Sequence, residues 1–374
     1  MDAGQHPSES FRIHWMSSRP DSRAAALMAG VSTQETCGTA AGGGSGLRGS
    51  VMTHAASSRR FQAFSLGVLA FTLVVILWGA FVRATGSGAG CGDHWPVCNG
   101  EVIPRAPSVQ TLIEYTHRLT SGLAMILAVA LYVWARKGHA KGHPVRSAAA
   151  WALFFMMTEA LVGAGIVLLK YVADNASVGR ALWMGVHLVN TFLLVGAQTL
   201  VIWFSRGRAP LSLRGQGLPG ALMGLSILGL LVLGVSGAIA ALGDTLFPST
   251  TLAEGLRQDI SETAHILIKL RVLHPLLAVS VGAFLVLASR WVARVRPSED
   301  VRRAASAITV LYAVQLGAGV TNLLLLAPVW MQLVHLLLAD FVWMAVVVLC
   351  AAGLAADAPR VVAEASPASS AEPV

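Results

Sequence analysis

Four histidines lie near the start of long apolar segments that all cross the predicted bilayer in the same direction: His117, His187, His274 and His335. Because each lies within the first turn or two of its segment, we expect all four at one depth near one membrane face. Neutral imidazoles from two facing helices can bind one iron from opposite sides, so the spacing predicts two bis-histidine haem sites. Zinc fits less well, since it would want cysteine or carboxylate ligands clustered with the histidines. Hydrogen bonding between helices is the structural alternative, and it does not predict a duplicated spacing.

Two arginines and one carboxylate flank these histidines. Arg118 follows His117, and Arg271 precedes His274 by about one helical turn. Each guanidinium could bind a haem propionate or could reach out to the membrane interface. Glu114 precedes His117 by three residues, so the two side chains share a helix face. Glu114 could relay protons beside a haem or complement the helix dipole, and both interpretations stay open here.

Two cysteines and one further acid complete the candidates. Cys91 and Cys98 lie in the segment Cys-Gly-Asp-His-Trp-Pro-Val-Cys of the first predicted outer loop. Because that compartment is oxidising in bacteria, we expect a Cys91–Cys98 disulfide, either as a loop staple or as a redox-active pair. Glu159 lies in the middle of an apolar segment, where an acid is costly and is a functional candidate. A neutral, hydrogen-bonded packing role for Glu159 is equally open.

Eight apolar segments position these residues. Each has about 20 residues, enough to cross about 30 Å of hydrocarbon, and each is predicted as a helix because backbone groups must be paired within lipid. The segments lie near 62–82, 115–135, 148–169, 184–204, 220–242, 270–289, 305–326 and 332–355. The chain is 55% hydrophobic and only 12% charged, which places it in the membrane class. Its net charge of +8 comes mostly from short loops beside apolar segments, so no nucleic-acid partner is expected.

Basic residues concentrate in alternate loops. They precede the first segment and recur in the loops 136–147, 205–219 and 290–304. By the positive-inside rule these segments are cytoplasmic, so both termini lie inside and the four histidines lie near the outer face. We therefore expect a multi-pass protein of the bacterial inner membrane, in contact with the lipid bilayer.

The chain also contains an internal repeat. The matching positions are Gly79-Ala80-Phe81 with Gly237-Ala238-Ile239, His117 with His274, Glu159 with Gln315, and His187 with His335. Two parallel copies of a four-helix unit would be related by a pseudo-two-fold axis along the membrane normal. The predicted fold class is therefore all-α integral membrane, with eight transmembrane helices in two tandem four-helix bundles.

The predicted boundaries follow the composition of the chain. They are a disordered extension at 1–58, an N-terminal half at 59–205, a cytoplasmic linker at 206–219, a C-terminal half at 220–355 and a disordered tail at 356–374. Met52 lies shortly before the first apolar segment. We therefore expect translation to start at Met52 instead of Met1.

Several motifs together resemble the haem A synthase family, in the bacterial type with a cysteine pair in the first outer loop. The matching stretches are Gly-Ala-Phe-Val-Arg-Ala-Thr-Gly-Ser-Gly at 79–88, Cys91 with Trp-Pro-Val-Cys-Asn-Gly at 95–100, Glu-Tyr-Thr-His-Arg at 114–118, and the late run that contains Asn322, Pro328 and His335. The resemblance covers about residues 60–355. At Glu159 the chain departs from the family pattern, which usually has glutamine there.

The resemblance implies a reaction and assigns roles to the candidate residues. The family oxidises the ring D methyl group of haem O to a formyl group, which gives haem A for cytochrome c oxidase. By the same resemblance, His117 and His187 would hold this substrate, and His274 and His335 would hold a haem B cofactor. Glu114 would be the catalytic acid. Cys91 and Cys98 would form the redox-active outer pair.

Two other classes of membrane protein compete with this prediction. A di-haem b-type electron-transfer cytochrome would tend to place its haems near opposite faces, whereas these histidines share one face. A permease with parallel repeats would not need four equivalent histidines. The implied pathway makes a haem O synthase (a farnesyltransferase) and oxidase assembly factors expected partners. The oligomeric state stays open, including a homo-oligomer.

Overall fold

The computed structural model describes residues 44–358, with side chains from Ser58 onward. The described part of the chain is built from α-helices and contains no β-sheet. The helices are α1 (Gly44–Ala84), α2 (Val109–Gly138), α3 (Pro144–Leu168), α4 (Val178–Ser205), α5 (Gly217–Leu246), α6 (Leu252–Ile260), α7 (Ile266–Arg271), α8 (Leu273–Val295), α9 (Glu299–Leu324) and α10 (Val329–Gly353). A single 3₁₀ turn, Ser87–Ala89, follows α1. Contacts divide the chain after Ser50, and the description below concerns the unit from Val51 onward.

Eight spans within the described residues are long and apolar enough to cross a membrane. They coincide with the eight predicted segments, and α7 and α8 together form the sixth span, Ile266–Val295. The predicted all-α membrane fold with eight spans is therefore confirmed, and the chain is a multi-pass membrane protein. Many apolar side chains on the spans are exposed in the protein alone, among them Ile126, Leu161 and Leu287. Such a surface is suited to contact with lipid.

The helices extend beyond the predicted segments, because polar residues cap them outside the apolar run. Ser108 Oγ accepts the backbone N–H of Thr111, so α2 begins at Val109 instead of near 115. Ser177 and Ser298 begin α4 and α9 in the same way. Each such cap satisfies one of the N–H groups that a helix start leaves without an internal partner.

Two further differences from the prediction concern the segment before His274. The predicted outer loop 243–269 contains the short helix α6, which begins at the cap Thr251. The sixth span breaks at Val272, between α7 and α8, two residues before His274.

The backbone of α1 is helical from Gly44, inside the predicted extension 1–58. Residues 1–43, for which the sequence predicts disorder, and most of the tail 356–374 lie outside the described residues. The start of translation at Met52 stays a prediction.

Helix packing repeats between the two halves of the chain. Helix α3 packs against α2 and α4, as α9 packs against α8 and α10, while α4, α5 and α10 join the halves. Trp343 of α10 stacks on Phe192 of α4, with ring centroids 5.1 Å apart, and its Nε1 donates to the Phe192 carbonyl. These contacts are compatible with two bundles. The pseudo-two-fold axis and the boundary at 206–219 stay predictions.

The alternation of spans gives the bundle two sides. We call the side that carries the connections 85–108, 169–177, 247–265 and 325–328 the cysteine side. The opposite side, with the connections 139–143, 206–216 and 296–298, is the basic side. The cysteine side is the predicted outer face.

Candidate functional site

All four histidines lie on spans that start on the cysteine side. Each lies six to nine residues after the first residue of its span. At about 1.5 Å of rise per residue, this corresponds to a depth of roughly 9–14 Å. The structure therefore agrees with the common depth expected from the sequence.

His274 and His335 face each other in the C-terminal half. Their ring centroids are 6.4 Å apart, and the ring planes are nearly perpendicular at 87°. Two metal–imidazole bonds of about 2 Å each, together with the two ring radii, fill a separation of this size. Ser236 Oγ lies 3.0 Å from His274 Nδ1, and Gln315 Nε2 lies 3.3 Å from His335 Nε2. These polar neighbours orient the two rings.

His117 and His187 form the corresponding pair in the N-terminal half, on α2 and α4. They match His274 and His335 in the sequence repeat. The Nδ1 atoms of both rings are buried without a hydrogen-bond partner among the described residues. His187 Nδ1 nevertheless lies 3.3 Å from Glu159 Oε1 of α3. Glu159, whose role the sequence left open, is therefore next to a predicted haem ligand.

Glycines on neighbouring helices leave room for the imidazoles. A Cβ atom at Gly79 would lie 2.9 Å from His117 Cε1, and one at Gly237 would lie 3.0 Å from His274 Cε1. Real Cβ atoms essentially never come as close as 2.9 Å, and 3.0 Å is tighter than nine in ten real Cβ contacts, so a side chain at either position would force the imidazole or the helix to shift. Since Gly79 and Gly237 match in the sequence repeat, the same glycine–histidine contact occurs in both halves.

The residues present fit haem better than a bare metal ion. No cluster of three or more His, Cys, Asp or Glu side chains suited to a metal ion occurs in the described part of the chain. Haem needs only axial ligands from the protein, because the porphyrin supplies the other four. The facing pair His274 and His335 meets this requirement, and His117, His187 and His335 each have a buried Nδ1 without a hydrogen-bond partner in the described structure.

Glu114 ties the cysteine loop, residues 85–108, to the start of α2. Its Oε2 accepts the backbone N–H of Cys91 at 2.8 Å, and its Oε1 accepts from Arg118. Arg118 also donates to the carbonyls of His94 and Val97 at 2.6 and 2.7 Å. The Glu114 carboxylate is thus engaged by the loop, and its side chain is only 5% exposed.

The predicted Cys91–Cys98 disulfide is present in the loop. Both cysteines are fully buried, at 0% exposure. Exchange with an external thiol would therefore require the loop to open first. This geometry suits a loop staple well, and a redox role for the pair stays a prediction.

A family model, described as COX15-CtaA, cytochrome oxidase assembly protein, matches residues 62–347. The match includes six spans in full, most of the first and last spans, and all four histidines. The chain belongs to the COX15-CtaA family. This is also the haem A synthase family that the motifs resembled, so that prediction is confirmed.

Several relatives of this COX15-CtaA member carry curated names. A protoheme IX farnesyltransferase of Thermus thermophilus is 54% identical over 276 residues, which is 74% of this chain and 45% of that protein. A haem A synthase of Exiguobacterium sibiricum is 37% identical over 133 residues, or 36% of this chain and 43% of the relative. A haem A synthase of Exiguobacterium sp. AT1b is 33% identical over 187 residues, or 50% and 60%. The chain spans less than half the length of the Thermus relative.

The two predicted propionate ligands of this COX15-CtaA member both pair with carboxylates. Arg118 pairs with Glu114, as described above. Arg271 donates to Asp259 at 2.6 Å and to Asp244 at 3.1 Å, and so holds α6 against the end of α5. Their binding of propionates stays a prediction.

Two polar residues in the spans were not selected from the sequence as site residues. Arg83 of α1 donates to the Ala241 carbonyl and to Thr245 of α5, and to Gln332 of α10, all at 2.7–2.8 Å. It thereby joins the two halves one turn from Gly79. Asp340 of α10 is fully buried, and neither carboxyl oxygen has a partner among the described residues. The rule that intramembrane acids are functional candidates, applied to Glu159, also selects Asp340.

Proposed function

We propose that the chain is a haem A synthase that oxidises the ring D methyl group of haem O to a formyl group, giving haem A for cytochrome c oxidase. The observation that carries the proposal is the duplicated histidine arrangement on one side of a COX15-CtaA family member. The relatives named haem A synthase support this activity.

The two histidine pairs have different tasks in this proposal. His117 and His187 hold the substrate haem, and His274 and His335 hold haem B. Haem B would supply a one-electron carrier for the electrons that leave the substrate methyl. Glu114, three residues before His117, is tied through the Cys91 N–H to the disulfide loop, which supports the assignment of the first pair as the reaction site.

Glu114 is the proposed catalytic acid, and its contacts suggest how it acts. Its Oε1 and Oε2 are held by Arg118 and by the Cys91 N–H, so the carboxylate has a fixed position one turn from His117. A positioned carboxylate can accept a proton that the reaction releases. Because the same carboxylate anchors the cysteine loop, the loop position and the proton acceptor are coupled.

The proposed setting is the bacterial inner membrane, with both termini cytoplasmic and the histidines near the outer face. Haem O would come from a farnesyltransferase. The Thermus relative is named for such an activity, although this chain aligns with only 45% of it. We therefore propose a farnesyltransferase as functional neighbour instead of assigning farnesyl transfer to this chain. Oxidase assembly factors are the other proposed partners.

The competing function is a di-haem b-type electron-transfer cytochrome. Such a protein moves electrons across the bilayer, and its haems would tend to lie near opposite faces. All four histidines here belong to the cysteine side. This placement favours the synthase.

The experiment is to express the full chain with a supply of haem O and to identify the extracted haems. The wild-type protein should yield haem A together with haem B. His117→Ala and Glu114→Ala should abolish haem A and retain haem B, while His139→Gln on the basic side serves as a matched histidine control. Haem without any haem A from the wild type would support the cytochrome. Haem A from His117→Ala would show that the site assignment is wrong.

A further inference from the structure

Glu159 and Gln315 occupy matching places beside one histidine in each half. Glu159 lies on α3 and contacts His187 of α4, with 3.3 Å between Oε1 and Nδ1. Gln315 lies on α9 and contacts His335 of α10, with 3.3 Å between Nε2 and Nε2. The repeat therefore places a carboxylate next to Nδ1 of one predicted ligand and an amide next to Nε2 of the other.

The Glu159 carboxylate is held firmly in place. Asn190 Nδ2 donates to Oε2, and Thr191 Oγ1 donates to Oε1, both at 2.5 Å. Thr158 Oγ1 in turn donates to Asn190 Oδ1 at 2.7 Å, which fixes the amide that binds the carboxylate. The Glu159 side chain is 18% exposed. Its partners are donors to oxygen, so this pocket is built for a carboxylate.

A carboxylate and an amide differ in what they do to a neighbouring imidazole. A carboxylate oxygen can only accept, so its negative charge at 3.3 Å favours the proton on the ring nitrogen that faces it and leaves the lone pair of the other nitrogen for a metal. Such a partner orients the ring and raises its basicity as a ligand. Either end of the Gln315 amide is uncharged, so it orients His335 without a comparable electrostatic effect.

We propose that Glu159 is a positioning residue for His187. The Glu159 carboxylate would keep the proton of His187 on Nδ1 and so leave Nε2 for the iron. It would thereby lower the reduction potential of the N-terminal haem relative to the C-terminal one. This inference rests on the proposed function through the assignment of His187 and His335 as haem ligands. A more basic ligand with a negative partner favours ferric over ferrous iron. The difference between the halves would direct electrons from the N-terminal to the C-terminal haem.

The test is a spectroelectrochemical titration of the full-length protein loaded with haem B in detergent. Wild type should titrate as two one-electron components. Glu159→Gln should raise the lower component and leave the other in place. Mutating the partner of a metal ligand typically changes metal affinity by about tenfold or more, and a tenfold change in the preference for ferric over ferrous iron corresponds to about 59 mV.

The matched control is the reciprocal substitution Gln315→Glu, which should lower the higher component instead. Thr191→Val keeps the carboxylate but removes one donor to it, and should shift the lower component less than Glu159→Gln. Haem content and thermal unfolding of each variant report whether it folds. If Glu159→Gln does not fold, Gln315→Glu and Thr191→Val still decide the question.

The outcomes separate this inference from the proposed function. Unchanged potentials in folded, haem-loaded variants would overturn the role of Glu159 and leave the haem sites intact. A wild-type protein that binds no haem would overturn the proposed function itself. A shift of the same component by Glu159→Gln and by Gln315→Glu would contradict the assignment of one acid or amide to each haem.

Discussion

Replacing Gly79 with alanine tests the packing of α1 against His117. The added methyl group would lie 2.9 Å from His117 Cε1 and 3.1 Å from Nε2. Both contacts are to the imidazole ring at the end of the His117 side chain. Either the ring or α1 must therefore shift, and we expect His117 to lose the position from which it would bind the proposed haem.

The size of the effect follows from two opposing contributions. Alanine is about 0.8–1.0 kcal/mol more favourable than glycine inside a helix. Forcing an extra methyl group into a packed site costs about 1–3 kcal/mol. The control Gly67→Ala lies in the same helix and meets nothing within 4 Å, so it gains only the first contribution. Gly79→Ala should thus be less stable than Gly67→Ala by about 1–3 kcal/mol.

The assay compares thermal unfolding and haem content of the two variants in detergent. Gly67→Ala should match or exceed the wild type in both measurements. Gly79→Ala should unfold earlier and lose haem from the N-terminal half, and Gly237→Ala should do the same in the C-terminal half. Equal stability and equal haem content for Gly79→Ala and Gly67→Ala would refute the close approach of α1 to His117.

Three further predictions concern other parts of the bundle. Arg118→Gln should speed reduction of the Cys91–Cys98 disulfide by a water-soluble phosphine at least roughly tenfold. The reason is that the charged hydrogen bonds from Arg118, of about 1.5–3 kcal/mol, hold the cysteine loop closed. An unchanged reduction rate would mean that other contacts hold the loop. Asp340→Asn should leave the thermal unfolding temperature nearly unchanged, because no hydrogen bond in the described structure is broken; a large decrease would reveal an ionic partner. Burial, followed by the nearby His143, lowers the pKa of His139 at the basic end of α2. Folding therefore favours the neutral form of His139. The contribution of His139 to stability should be complete above a pH of about 6.5 and should decline as the pH falls towards its lowered pKa. His139→Gln should flatten this part of a stability-versus-pH curve, and an identical curve would contradict the assignment.

The number and place of the spans could be predicted from the sequence because hydrophobic length is a strong local signal. The helix ends could not, since they depend on caps outside the apolar run. Ser108 begins α2 six residues before the predicted start near 115. The break at Val272 and the helix α6 were also missed, because short amphipathic pieces between spans carry no long periodic pattern.

The candidate site was only partly predictable for a different reason. Histidines could be paired from the repeat, since equivalent positions in duplicated units occupy equivalent places. The contacts of polar neighbours depend on side-chain geometry that spacing does not report. Glu114 shares a helix face with His117, yet its carboxylate binds the Cys91 N–H and Arg118. Glu159, by contrast, could be selected as a costly intramembrane acid, but its contact with His187 becomes visible only in the structure.

The charges around the two histidine pairs show which difference between the halves can matter electrostatically. Glu114 and Arg271 occupy matching places three residues before His117 and His274, so the repeat inverts the charge there. Each of these charges has opposite charges beside it: Glu114 has Arg118, and Arg271 has two aspartates. Glu159 has only neutral donors and His187 among its described contacts. An uncompensated charge in a medium of low dielectric acts further than a paired one. In the proposed two-haem enzyme, the difference in reduction potential between the haems should therefore follow the residue at 159 more closely than the residue at 114.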